Sequence, residues 1–294
     1  MTARARVLAA IAGTSTRWYP SLAPQLADAK WDALATLGLN SESYGTTRMI
    51  TADPFGPRRI EGTVEIDGRE IKIEEFSDAM EARYASLGIA SADAGLVPDA
   101  AIGRLSRALK LLEHVPGLSL TIGALVRSLH LIRVGEPEYD ASYSDPEVPF
   151  SIFIGLHPEA TEMDAFRLAE SVVHEAMHLQ LSLIEAQVPL VAGARTLDHS
   201  PWQDGPRPAQ GLLHGLYVFR AIQDFLAAIP SNQLDEAGTQ HVRRRVALID
   251  DECEQLAGFD QTSDLTAEGR MLAAGLLLGG RYRPTRVSAS AASI

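Results

Sequence analysis

The 294-residue chain has one cysteine, Cys253. A single thiol cannot build an internal disulfide framework and fits a reducing compartment. Its setting, Asp250-Asp251-Glu252-Cys253-Glu254, is electronegative, which raises a thiol pKa and argues against a nucleophile. Basic residues are also scarce: 26 Lys and Arg stand against 38 Asp and Glu, a formal charge of −12. With no basic footprint, nucleic acid is not an expected partner. Long apolar runs are missing too, since none reaches the roughly 18 residues that a membrane span requires. The opening Met1-Thr-Ala-Arg-Ala-Arg-Val-Leu-Ala-Ala-Ile-Ala-Gly superficially resembles a secretory signal, but its apolar run is only about seven residues. The expectation is a cytoplasmic protein.

What is present is an ordinary globular balance, 46% hydrophobic and 22% charged, enough for one large domain or two small ones. Helical spacing is read over residues 21–37, 76–87, 99–114, 209–229, 232–256 and 265–278, with Ser263 or Asp264 capping the last. Residues 39–58, rich in Ser, Thr, Pro and Gly, read as a loop. Two alternating runs joined by Asp67-Gly68 predict a hairpin, because the glycine supplies the positive φ of a type I′ turn. A short helix and a strand at 129–134 follow, then a second strand at 149–155. His130, within the first of these strands, reads as a packed core or edge histidine.

The stretch Ala169-Glu-Ser-Val-Val-His-Glu-Ala-Met-His-Leu-Gln reads as the start of one long helix, 169–187. Its His174 and His178 lie four residues apart, about 40° around and one turn along, so both imidazoles can reach one metal ion. Glu175 can reach the same cleft. A solvated helix with two incidental histidines is the plain alternative. The apolar stripe Ala169, Val172, Ala176, Leu179 and Leu183, widened by Val173, Met177, Gln180 and Ile184, argues against it, because an unpaired buried imidazole is costly.

Two histidines leave a metal under-coordinated. A metzincin continuation would require glycine at 181 and histidine at 184, where the chain has Leu181 and Ile184. A gluzincin would need a glutamate on the following helix, and after Glu185 none occurs before Glu236. Candidates for a third ligand are Asp198, His199, Asp204, His214 and Asp224. His214 is preferred, because Gly211 and Gly215 flank it on an apolar helix face that could fold back against the first. The 20 residues between, 189–208, hold two glycines and four prolines, and loops of that length are usually functional.

Tyr143-Ser-Asp-Pro-Glu-Val-Pro-Phe, the His174–His178 helix, Ser200-Pro-Trp and Arg207-Pro-Ala-Gln-Gly-Leu-Leu-His-Gly-Leu-Tyr-Val-Phe-Arg together resemble the HExxH-type peptide β-hydroxylases. The likeness covers roughly residues 125–280. It implies an oxygenase dependent on Fe(II) and 2-oxoglutarate, with O₂ as cosubstrate and a ribosomally made precursor peptide as substrate. The implied ligands are His174, His178 and His214. The distal carboxylate of 2-oxoglutarate suits a bidentate arginine, and Arg207 and Arg220 are the candidates, with Arg281 and Arg283 as outsiders. Glu175 would then orient a ligand or position the peptide, whereas in a zinc peptidase, the alternative reading, it is the general base. Zn(II) would also fill such a site in isolated protein. Trp202 could line the cleft; Tyr217 reads as core. The expected fold is α+β and predominantly helical: a zincin-like HExxH helix beside a small sheet, with a helical C-terminal part. A layer over 1–115, a metal-binding domain over 116–282 and a tail over 283–294 are the expected divisions.

Overall fold

The computed structural model describes residues 3–12, 17–36, 41–44, 47–50, 59–92, 99–134, 141–146, 148, 150–157, 159–160, 163–193, 197–203 and 205–279. Asp204, Arg281, Arg283 and the tail 283–294 lie outside them. The chain is α+β, with nine α-helices and a five-stranded mixed sheet among the described residues.

The sheet has the order β3-β4-β5-β7-β6. Strands β3 (Ile60–Ile66) and β4 (Arg69–Glu74) form the expected antiparallel hairpin. Asp67 at φ 50° and Gly68 at φ 71° both adopt the left-handed conformation that a type I′ turn demands. Strand β5 (Ser128–Ile132) runs parallel to β4 and to β7 (Ser151–Gly155), and it is buried throughout, as an internal parallel strand requires. The edge is the two-residue β6 (Ser142–Tyr143), antiparallel to β7. His130 is a core residue on β5, its ring stacked on Phe153.

Three helices lie between β4 and β5: α3 (Asp78–Ala85), α4 (Asp99–Glu113) and α5 (Leu118–Leu125). Helix α4 buries Ala101, Leu105, Ala108, Leu109 and Leu112, a stripe of helical period. That stripe faces the sheet and α6 (Asp164–Glu185), which is 22 residues long and also packs on β7, β6, α5 and α2 (Ala23–Thr36). Val172, Val173, Ala176, Met177, Gln180, Leu181 and Ile184 are all buried, so α6 is enclosed over most of its circumference. Helix α7 (Ala209–Ala228) lies along α6, followed by α8 (Glu236–Glu254) and α9 (Ala267–Leu277). One hydrophobic cluster extends from Val7 through Ile71, Leu105, Val173 and Leu213 to Leu276.

Three expectations are corrected, and one segment given no element from the sequence is a helix. The opening apolar run is a helix, α1 (Ala3–Ala12), whose Val7 and Ile11 are buried; seven of its ten residues are alanine or arginine, both strong helix formers. The stretch read as a loop from 39 carries an antiparallel hairpin, β1 (Ser41–Tyr44) with β2 (Thr47–Ile50). The long connection before α7 contains β8 (Leu197–His199) paired with β9 (Pro206–Pro208). The cap of α9 is Thr266, whose hydroxyl accepts from the Gly269 amide at 3.0 Å and donates to the Pro189 carbonyl at 2.9 Å. Ser263 and Asp264 fall short of that position.

Candidate metal centre

His174 and His178 project from α6 toward α7, where His214 comes up opposite them. The Nε2 atoms of His174 and His178 are 3.1 Å apart. Two nitrogens bound cis to one ion at about 2.1 Å would be about 3.0 Å apart in an octahedral site and about 3.4 Å apart in a tetrahedral one. The observed separation would suit an ion between them, closer to the right-angled case. Burial pushes the His174 imidazole down to about 4 and that of His178 down to about 3, the latter aided by the charge of His174. At neutral pH both rings are uncharged and have lone pairs to give, which is what metal ligation needs.

His214 is brought into the same row but does not converge on that point. Its Nδ1 lies 3.0 Å from Nδ1 of His178, on the other nitrogen of that ring, and the two rings are nearly parallel. Its Nε2 meets Glu185 Oε2 at 3.1 Å. Among the described residues no three His, Cys, Asp or Glu side chains form a ligand set around one ion. The His174–His178 pair has the spacing of two cis ligands, and His214 meets the opposite side of the His178 ring.

Glu175 is 2% exposed, with Oε1 3.9 Å from His174 Nε2. The hydroxyl of Ser142 on β6 donates to it at 2.6 Å, and Ser144 also hydrogen-bonds it. Burial outweighs these donors and the charge of His178, so the carboxyl is held above its ordinary range. The two-residue edge strand is thus what aims Glu175.

His174 opens onto a cavity of about 530 Å³, also lined by Ser142, Arg167, Glu170, Trp202, Phe219 and Arg245. Trp202 stacks on Phe219 at 4.8 Å, and the Arg245 guanidinium covers the Phe219 ring at 5.6 Å. Gly215 makes this wall possible, since a Cβ there would lie 2.5 Å from the Trp202 ring. That glycine admits an aromatic ring from the loop, whereas the sequence suggested room for a neighbouring helix. Glu170 accepts from Arg245 Nε at 2.9 Å and pairs with His241 at 3.1 Å.

The other expected residues lie elsewhere. Arg220 is 2% exposed, and its Nε donates to the Leu276 carbonyl at 3.0 Å while Nη1 donates to Gln223 and Asp250. It ties α7 to α8 and α9 and does not line the cavity. Arg207 is exposed on β9, as are Asp198 and His199 on β8. Asp224 belongs to a separate buried cluster with Arg17. Cys253 is buried, which pushes its thiol up to about 12. The arginines that do face the cavity, Arg167 and Arg245, were not singled out from the sequence, because one lies a full two turns before His174 and the other comes from α8. No protein family model and no curated protein matches this chain.

Proposed function

We propose that the protein is a metal-dependent oxygenase that hydroxylates the β-carbon of a residue in a ribosomally made peptide, using Fe(II), 2-oxoglutarate and O₂. The observation that carries this reading is the pair of neutral imidazoles, His174 and His178, 3.1 Å apart, with His174 lining a cavity that bears two arginines. When bound, the iron and oxo-acid supply oxidation of a C–H bond coupled to decarboxylation of 2-oxoglutarate to succinate. His174 and His178 would hold the iron and leave it open to the oxo-acid and O₂. Arg167 and Arg245 offer the positive charge that a dianionic cosubstrate favours, and they replace Arg207 and Arg220 in that role. Trp202 and Phe219 form an apolar wall suited to a substrate side chain. Glu175, tethered by Ser142 and Ser144, orients groups beside the metal. The edge strand β6 alongside the HExxH helix supports a zincin-like description of the arrangement. No helix among the described residues is long and apolar enough to cross a membrane, in keeping with a cytoplasmic precursor peptide as partner.

A zinc peptidase is the second reading, favoured by one observation. Glu175 is buried beside His174 with its pKa raised toward that of a working general base. The test is anaerobic addition of Fe(II) and 2-oxoglutarate, which should give a weak visible charge-transfer band, and succinate once O₂ is admitted. Absence of both, with candidate peptides present, overturns the oxygenase reading. Zinc-dependent casein cleavage that is lost in Glu175→Gln establishes the peptidase.

A further inference from the structure

The geometry points to His214 and Glu185 as a positioning relay that acts on His178 from its far side, rather than as a source of the third metal ligand. This rests on the metal reading above. The argument starts at Glu185, whose carboxylate can only accept hydrogen bonds. His214 Nε2, 3.1 Å away, must therefore carry a proton, and Gln210 Nε2 donates to the same Oε2 at 3.2 Å, which keeps the carboxylate in place. In the tautomer with its one N–H turned to Glu185, Nδ1 of His214 is left as an acceptor. Among the described residues the group that meets it is Nδ1 of His178 at 3.0 Å, which is then the donor. That fixes the remaining nitrogen of His178, Nε2, as a bare lone pair directed at Nε2 of His174, 3.1 Å away.

One carboxylate thus sets two tautomers in series and leaves His178 oriented for a cation. Metal-bound histidines ordinarily donate their second N–H to a carboxylate or carbonyl, and here the relay is longer by one imidazole. The lone pairs on the two nitrogens of a ring diverge, so an ion on Nε2 of His178 is out of reach of the His214 nitrogen that serves Nδ1. Helix α6 supplies both ends of the relay, since Glu185 lies seven residues, two turns, beyond His178.

The test uses the full chain labelled with ¹⁵N-histidine, first metal-free and then titrated with Zn(II). In the metal-free protein His178 should be the Nδ1–H tautomer and His214 the Nε2–H tautomer. Zinc should bring nitrogens of His174 and His178 into the coordinated range and leave both nitrogens of His214 outside it. Glu185→Gln and His214→Ala should each weaken Zn(II) binding about 10–100-fold while two imidazoles stay coordinated. Should His214→Ala fail to fold, Glu185→Gln carries the same test. A coordinated His214 nitrogen in the wild type overturns the relay and leaves the metal reading standing. Unchanged zinc affinity and an unchanged His178 tautomer in Glu185→Gln also overturn it. Zinc that does not reach His174 and His178 at all overturns both.

Discussion

Helix α6 carries polar side chains into the protein interior on two sides, and the two groups behave differently. On one side are His174, Glu175 and His178. On the other is Gln180, about 200° around the helix from His178. Gln180 Nε2 donates to the Arg17 carbonyl at 2.9 Å and to the Tyr217 hydroxyl, and Tyr217 itself donates to the same carbonyl. Beside them Arg17 and Asp224 face each other at 3.9 Å, both nearly inaccessible. The second cluster cross-links the segment before α2 to α6 and α7. The histidine row opens onto a cavity through His174, and its ring nitrogens meet one another in series at 3.0 and 3.1 Å. Burial alone therefore does not mark a candidate site; what distinguishes the first group is a row of adjacent imidazoles that reaches a cavity.

The sharpest way to break this comparison is to remove one imidazole from the row. His178→Ala should reduce Zn(II) or Fe(II) affinity by more than the about 100-fold expected for loss of an outer partner, as measured by competition with a chromophoric chelator. It should leave the unfolding midpoint of the metal-free protein within a few degrees of wild type, because the ring sits beside a cavity. Retained affinity would place the metal elsewhere and erase the distinction between the two groups.

The second cluster should answer to pH. Burial pushes Asp224 from 3.8 up to about 6 against the lowering charge of Arg17, and its Oδ2 has no hydrogen-bond partner. A carboxyl whose pKa is higher when folded contributes stability that is fully present below about pH 4 and is lost as pH rises through 6. About two pKa units correspond to roughly 3 kcal/mol at most. In Asp224→Asn that loss should disappear, so the variant gains on wild type as pH climbs from 4 to 8, read by denaturant unfolding at each pH. The histidines work in the opposite sense: with folded pKa values depressed to about 4 and about 3, their share is present above about 6.5 and is lost on acidification. A wild type and Asn variant with parallel profiles would show that Asp224 is not the titrating group.

A smaller effect separates structure from site. Tyr217→Phe removes a hydroxyl that both donates to the Arg17 carbonyl and accepts from Gln180. Leaving buried partners unsatisfied should cost about 1–3 kcal/mol in unfolding free energy. Metal affinity should not change, and a Tyr217→Phe protein that lost it would mean the two faces of α6 are coupled.

How much of this was legible in the sequence follows from the range of the interactions involved. The spacing of His174 and His178, the burial of α6 and the Asp67-Gly68 turn are local properties of helical period and backbone φ, and all were readable. The approach of His214 was readable as an apolar helix returning along α6. Which nitrogen it presents, and to what, was not, because that depends on Glu185 and Gln210 across the helix pair. Arg220 reads from the sequence as a ligand-binding cation because two of its three acceptors, Leu276 and Asp250, lie 56 and 30 residues on; the third, Gln223, is one turn away. Arg167 and Arg245 were missed for the converse reason. Strand β6 is two residues long, too short for any alternation to show, yet it positions Glu175.

That last contact gives the finest test of the contrast. Ser142→Ala removes one of the two hydroxyl donors that hold down the Glu175 pKa, while Ser144 retains its hydrogen bond. Glu175 should therefore rise by less than about one unit, since a full unit corresponds to about 1.4 kcal/mol, comparable to an entire hydrogen bond. In an oxygenase, where Glu175 only orients its neighbours, the acid limb of succinate formation against pH should stay where it is in wild type. In a peptidase, where the ionised carboxylate must accept a proton, the acid limb of cleavage moves to higher pH by the same fraction of a unit. A shifted limb in the succinate assay would mean that Glu175 takes up a proton during turnover, giving this buried carboxyl a role that its tethered neighbours on β6 were placed to tune.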